Sequence, residues 1–412
     1  MVSVTRPRRR PSVVSLFSGA GGLDIGLERA GWDVVTATDL SKPSMETLRR
    51  SQAAQVPIRG RRSGAHLDGT TLIEADVQDL SAADLRPARS PAGWRPDLLA
   101  GGPPCQPWSS AGHQKGLSDP RGKLIEQMLR LIGELQPRFV LFENVRGLVT
   151  AVGATKTPGE VLRSIQEDLA GMGYASQIAT LNAADYGAAQ RRVRLLLMAT
   201  SDHAIPAFPE PTHDKAGKDG RKPWVTLGEL LASLPKPDPK DVVRPTGERA
   251  ELLRALTPGT GIKTGGRVMN NRPSGQWGYR QDSFLADLGL PSRTIRAAST
   301  PDWVRLPDED DLRRLTWEEC AALQGFPRNW QFSGTRASVF QQIGNAVQVD
   351  MAEAVGEALI TSLRAGPVSE PPVTPPWPPE LVKRVKYTEA EHRVNGVLRV
   401  RVRAKAVDTP TG

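Results

Sequence analysis

The apolar run Val13-Val14-Ser15-Leu16-Phe17 breaks into Ser18-Gly19-Ala20-Gly21-Gly22. It resumes over Leu23 to Ala30 with helical spacing, and Gly31 falls where a C′ glycine belongs. A buried strand, a glycine turn and a helix in that order open a nucleotide-binding α/β sheet, with backbone N–H groups and a helix N-terminus aimed at a ligand. The full dinucleotide fingerprint is not met, because Asp24 stands where its third glycine would fall. Alone, such a turn is as readily structural as functional. The rest of the chain decides.

Trp32 to Thr38 reads as the next strand and ends in Asp39. An acid there can accept from two ribose hydroxyls or cap the following helix, a task Ser41 or Ser44 could also perform. Residues 52–70 look like a loop insertion. Thr71 to Val77 is a third strand with acids at its end, and Asp97 to Ala100 is a fourth. That fourth strand runs into Gly101-Gly102-Pro103-Pro104-Cys105-Gln106. The glycines open backbone geometry closed to other residues, and the prolines stiffen the approach. Cys105 therefore sits where a parallel strand ends, on a loop held in one shape, which is where α/β proteins place chemistry. A lone cysteine is often just a small buried hydrophobe. Only two are present, Cys105 and Cys320, so no disulfide framework or zinc pairing arises, and a reducing cytoplasm fits.

Lys123 to Leu135 carries its apolar residues on one helical face. Arg138 to Phe142 is an apolar central strand with Glu143-Asn144-Val145 at its end. Thr157 and Pro158 open a helix that stops near Gly171. If Gln190 to Arg194 is extended, Gln190, Arg192 and Arg194 share one side. The apolar Leu195-Leu196-Leu197 directly after them argues that this side faces a cleft. From about Ser201 the composition turns to Pro, Gly, Lys, Arg and Asp with little helical periodicity. This reads as a separate, loop-rich small domain. Thr316-Trp317-Glu318-Glu319 forms a capping box, Gly325-Phe326-Pro327 ends its helix, and Gln341 to Val347 precedes a helix to about Leu363. Pro367 to Pro379 is an extended proline-rich linker, and Val397 to Val407 alternates like a strand. The 412 residues suit two domains and a tail, and 54 Lys+Arg against 45 Asp+Glu gives a charge of +9 that suits a polyanionic partner. There is no run of about 18 apolar residues and no signal-peptide core after Arg6 to Pro11, so a soluble, intracellular protein is expected.

Taken together, these pieces resemble the cytosine-C5 DNA methyltransferase family over roughly residues 13–363. The matches come in the family's order: Phe17 to Gly22, Pro104-Cys105-Gln106, Asp119 to Leu124, Glu143-Asn144-Val145 and Gln190 to Arg194. After a long variable gap follow Arg313 to Thr316, Leu323 to Pro327 and Gly344-Asn345-Ala346-Val347. The chain departs at Asp39, where a glutamate is common, at Leu40, which offers adenine no aromatic face, and at Ala189, where a proline is usual. The resemblance implies an α/β fold: a Rossmann-like S-adenosylmethionine-dependent methyltransferase sheet, with a smaller target-recognition domain across a cleft. The expected division is residues 1–200, completed by 338–365, for catalysis and cofactor, 201–337 for target recognition, and 366–412 for a linker and extension.

The same resemblance implies a DNA (cytosine-5-)-methyltransferase of the restriction-modification type. Carbon 5 of cytosine is too weak a nucleophile to take a methyl group directly. A thiolate adding at carbon 6 makes the ring an enamine. Cys105 is the expected attacker, its thiolate favoured by helix ends and by Arg192 or Arg194. Glu143, with its pKa raised by burial, would protonate ring nitrogen 3 and accept from the exocyclic amine. Arg194 would hold the base's carbonyl oxygen, and Arg192 would order the site. The S-adenosylmethionine contacts implied are Phe17, Gly19, Gly21, Gly22, Asp39, Asp76 and Val77, with Pro104, Leu124, Asn345, Ala346 and Val347 closing the pocket and no metal. Gln106, Ser109 and Gln190 are the expected DNA contacts. The target nucleotide must be flipped from duplex DNA to reach Cys105. About residues 202–312 would read the sequence around it. A monomer acting on DNA in the cytoplasm and nucleoid, with no membrane partner and with a separate cognate endonuclease, completes the expectation. A tRNA cytosine-C5 methyltransferase, a non-catalytic DNA binder and a nicotinamide oxidoreductase are the competing readings. The last explains the glycine turn and nothing downstream.

Overall fold

The computed structural model describes residues 10–61, 63–104, 123–263, 268–269, 279–297 and 300–390, with the backbone alone at 263, 268–269 and 279–282. Cys105, Gln106 and Ser109, and the alternating run at 397–407, lie outside the described residues. The chain opens with β1 (Ser12–Leu16), α1 (Gly22–Ala30), β2 (Asp33–Asp39), α2 (Lys42–Ala53), β3 (Thr71–Glu74), a short α3 (Ala82–Leu85) and β4 (Leu98–Gly101). It continues through α4 (Lys123–Leu135), β5 (Phe139–Val145), α5 (Glu160–Gly171), β6 (Ala175–Asn182) and β7 (Val193–Thr200). These seven strands form one sheet in the order β3-β2-β1-β4-β5-β7-β6. β1 pairs in parallel with both β2 and β4, while β7 runs antiparallel to β5 and β6. The strand order reverses between β1 and β4, so a crevice opens beyond their carboxyl ends.

Alternation along the strands builds two apolar layers. Val14, Leu99, Val140 and Phe142 face Ile125, Met128 and Leu131 of α4 and Leu162 and Ile165 of α5. Val13, Leu98, Ala100 and Leu141 face the other way, with Leu23 and Leu27 of α1. The amphipathic runs of α1 and α4 match the elements read from the sequence, and Gly31 closes α1 at φ +116. Thr157 does not cap α5. That helix starts at Glu160 behind Gly159, and the Glu160 carboxylate folds back to accept the N–H groups of Gly153 and Thr155 at 3.0 and 2.9 Å.

The second lobe is less irregular than its composition suggests. After β8 (His213–Asp214), β9 (Lys222–Pro223), α6 (Leu227–Ser233) and α7 (Arg249–Arg254) come β10 (Thr260–Lys263), β11 (Val268–Met269), β12 (Tyr279–Leu285), β13 (Trp303–Val304) and β14 (Arg313–Arg314). The last five form a sheet of their own, ordered β11-β10-β12-β13-β14. Thr316 then caps α8 (Trp317–Leu323) with the expected box. The segment after α8 packs on the large lobe: Trp330 Nε1 donates to Ala20 O at 2.9 Å, and the Gln331 N–H donates to Ser51 Oγ at 3.0 Å. Gln341 to Asn345 lies inside a helix, α9 (Arg336–Asn345), and α10 (Val349–Ala365) returns along α1. The two helix backbones meet. A Cβ on Gly26 would lie 2.7 Å from Val349 O and one on Gly356 would lie 2.7 Å from Ala30 Cβ.

α1 buries two carboxyls. Asp24 is 0% and Glu28 4% exposed, and burial pushes them up to about 7 and about 8. Glu28 Oε1 accepts the Leu67 N–H at 2.8 Å, and its Oε2 lies 2.6 Å from His66 Nδ1, a ring that burial pushes down to about 3. Raised acids hold protons that the unfolded chain has already lost, so their contribution falls as pH rises towards the folded values. His66 acts oppositely, but only below its unfolded value of 6.5. Between about pH 6.5 and 8 the acids act alone, and stability is expected to fall by about 2 kcal/mol. Thermal melts across that window check this, and Glu28→Gln should flatten the slope.

Candidate active site

The carboxyl ends of β1 to β5 and the start of β7 converge on the crevice. Past β1 the chain turns sharply, with Phe17 at φ +56 and Gly19 at φ +56. A Cβ at Gly19 would meet nothing within 4 Å, so its backbone faces open space. The Gly19 N–H donates to Asp39 Oδ2 at 2.8 Å, and Asp39 Oδ1 accepts the Ser41 N–H at 2.7 Å. Burial raises the Asp39 carboxyl above its ordinary range, while these two amides oppose the shift. Ser41 is the residue that caps α2, leaving Asp39 at the cavity wall. Past β3, Asp76 Oδ1 accepts the Gln78 N–H at 3.0 Å and so starts the turn that presents Val77.

Past β4, the loop that leads to Cys105 runs beside Glu143. A Cβ on Gly102 would lie 2.9 Å from Glu143 Oε2, so a side chain there would push the carboxylate from its place. Asn144 Nδ2 donates to Pro103 O at 3.1 Å and fastens the same loop from β5. Arg194, across the ladder on β7, places its Nε 2.9 Å from Glu143 Oε1. Burial raises the Glu143 carboxyl above its ordinary range, and Arg194 and then Arg192 offset only part of that. Arg192 is wholly buried. Its Nη1 donates to Ile295 O at 2.8 Å, and its Nη2 donates to Gly344 O and Ala346 O at 2.9 and 2.7 Å. One guanidinium thereby ties the second lobe and the returning segment to the end of β7.

A single cavity of about 390 Å³ joins these parts. Phe17, Gly19, Asp39, Asp76 and Val77 line one side, Leu124, Asn345, Ala346 and Val347 close it, and Pro104, Glu143, Arg192 and Arg194 line the other. Gly21 and Gly22, expected at the cofactor, are not among the lining residues. Gly21, at φ +89, leads into α1, and a Cβ on Gly22 would lie 2.4 Å from Val347 O, so this glycine makes room for the pocket wall. Gln190, expected at DNA, is 0% exposed. Its Nε2 donates to Leu323 O at 3.1 Å and its Oε1 accepts the Ile295 N–H at 3.0 Å, which makes it a pin between lobes. Ser338 and Gln341 also line the cavity, beyond the residues expected there. With Asn345 they form a polar stripe at helical spacing, a signal hidden when this segment is taken for a loop.

The model for C-5 cytosine-specific DNA methylases matches residues 12–361. The chain is 30% identical over 343 residues to the Type II methyltransferase M.NgoFVII of Neisseria gonorrhoeae, covering 82% of this chain and 83% of that protein. It is 30% identical over 367 residues to the Type II methyltransferase M.FnuDI of Fusobacterium nucleatum, covering 85% and 94%. Among solved structures, a candidate DNA modification methyltransferase from an E. coli prophage superposes with a TM-score of 0.60 at 22% identity. That match covers 86% of this chain and 99% of the other, and it shows a shared fold.

Proposed function

Since the chain belongs to the C-5 cytosine-specific DNA methylase family and is a DNA (cytosine-5-)-methyltransferase, we propose that the cavity between β1 and β5 is where a flipped cytosine meets its methyl donor. The observation that carries this reading is that one cavity has two chemically different ends. Asp39, Asp76 and the open backbone at Gly19 suit the ribose diol, the amine and the close-lying chain of S-adenosylmethionine. Glu143 and Arg194 suit the Watson–Crick edge of a base. When bound there, S-adenosylmethionine supplies an electrophilic methyl group for carbon 5.

The chain's own residues do the rest. Cys105, which follows Pro104 in the sequence, adds as thiolate to carbon 6, and the electron pair displaced from the ring double bond is taken up as Glu143 delivers a proton to nitrogen 3. Once carbon 5 carries the methyl group, it loses its proton to a base, the thiolate leaves carbon 6, and nitrogen 3 gives back its proton. Thymine lacks the exocyclic amine that the Glu143 carboxyl also contacts, so the pair discriminates against it. Arg194 holds the base's carbonyl oxygen while its ion pair keeps Glu143 in place. Arg192 acts by positioning, since its Nη1 and Nη2 donate to Ile295, Gly344 and Ala346. Gln106 and Ser109 grip the flanking DNA backbone.

The relatives' Type II names support a place in a restriction-modification system. The reading is completed by a separate endonuclease sharing the recognition sequence and by a monomeric methylase at work on cytoplasmic DNA. Bisulfite sequencing of DNA from cells expressing the chain tests the activity directly. Protected cytosines should recur in one sequence context, and their absence under confirmed expression refutes the reading. Exchanging residues 202–312 for a relative's segment is expected to move methylation to a different sequence. Unchanged specificity in an active chimera would show that target reading lies elsewhere.

A further inference from the structure

The chain continues beyond residue 361, where the family match ends, and the continuation is fastened to the large lobe. Thr374 Oγ1 accepts the Ser176 N–H of edge strand β6 at 3.1 Å. Trp377 Nε1 donates to Gln166 Oε1 at 2.5 Å, and the Arg163 guanidinium lies 5.0 Å from the Trp377 ring centre. A helix then covers 379–390. Its Leu381 and Val385, one turn apart, are 2% and 3% exposed and belong to the apolar layer that includes Leu148 and Val149. Val385 Cγ2 and Val149 O both lie 3.3 Å from where a Cβ on Gly159 would be. The expected linker is thus a strap, and the helix at its end is docked by apolar contacts close behind β5.

Docking there brings like charges together. Arg146 follows the end of β5, three residues after Glu143, and is exposed. Burial, and then the positive charge of Arg146, hold the Arg384 guanidinium below its ordinary range. Arg384 Nε is buried without an acceptor, and among the described residues neither arginine has an ion-pair partner. Lys383 and Lys386 are exposed on the same helix, which also carries Glu380 and Glu389, and so leaves it a net positive charge. The sequence then adds Arg393, Arg399, Arg401, Arg403 and Lys405 against Glu391 and Asp408. Leu381, Val385 and Trp377 already anchor the helix, so the fold has no need of the Arg146–Arg384 repulsion beside β5. A row of phosphates would compensate these charges.

We propose that Arg146 and the terminal helix's Lys383, Arg384 and Lys386 form a second phosphate-binding surface that grips duplex DNA flanking the target. This rests on the methyltransferase reading, because it is the position beside β5 that selects DNA among polyanions. The test is binding of the full chain to a random-sequence duplex of about 30 base pairs over a series of salt concentrations. The triple variant K383Q/R384Q/K386Q is expected to bind on the order of tenfold more weakly near physiological salt, with the log–log salt slope reduced by about two to three. Its melting temperature should hold or rise, since a repulsion is removed. An unchanged slope and affinity overturn the proposal. If the triple variant melts early, the exposed single variant Arg146→Gln decides: a slope smaller by about one supports the surface, and an unchanged slope overturns it. Methyl incorporation by the unaltered chain is measured separately. Its failure would sink the methyltransferase reading while leaving the slope comparison to judge the tail.

Discussion

Cys105→Ala is expected to abolish methyl transfer while leaving DNA binding largely intact. Without addition at carbon 6 the ring has no enamine character, and no side chain lining the cavity among the described residues offers a thiolate. Glu143 is an acid, and Arg192 and Arg194 present only guanidinium donors, so none is a substitute nucleophile. The loss should be at least about 10⁴-fold, the scale seen when a covalent nucleophile is removed from a set of groups that act as a unit. Steady-state incorporation of labelled methyl groups measures it, and a binding titration on the same duplex shows whether recognition survives. Turnover within tenfold of the parent would refute the assignment of Cys105 as attacker. The alanine also removes a covalent species that should be visible on denaturing gels when the adduct is trapped.

Glu143→Gln should cost about 10² to 10⁴-fold in turnover, the range of general acid catalysis. Glutamine keeps the volume and one acceptor but cannot deliver a proton, and it breaks the 2.9 Å pair with Arg194. The pH profile separates these two losses. Burial holds the Glu143 carboxyl above its ordinary range, so the protonated acid persists further towards neutrality than in a free glutamate. Activity of the parent should therefore decline as pH rises through that raised value, while the residual rate of the glutamine variant should lack this limb. A variant that is slow but keeps the same descending limb would assign the proton to another group. The linked stability has the same sign: a raised acid favours folding most at low pH and contributes less as pH rises through its folded value.

Much of this site is legible in the amino-acid sequence, because its chemistry sits at strand ends and strand ends are punctuated. Glycines after β1 and β4, acids after β2 and β3, and Glu143 at the close of an apolar run all interrupt obvious buried segments. The capping box at Thr316 and the glycine stop at Gly31 are local signals and hold locally. Sequence patterns mislead where a residue's partner is distant in the chain. Gln190 carries a polar amide that suits DNA, yet its acceptor and donor partners lie more than a hundred residues away and bury it. Gly22 belongs to a nucleotide-binding pattern, but its lack of a side chain serves the carbonyl of Val347. The strap after residue 366 has the composition of a free linker because proline content reports stiffness alone. Trp377 and Thr374 find their partners only once β6 and α5 exist.

One wall of the cavity comes from Ser338 to Val347, held by Arg192 and backed by the close meeting of α1 and α10. A nascent chain still threaded in the ribosome at that point has synthesised every strand of the main sheet and still lacks a closed pocket. A product of synthesis interrupted ahead of that segment is therefore expected to lack methyl-transfer activity, although it holds the whole main sheet.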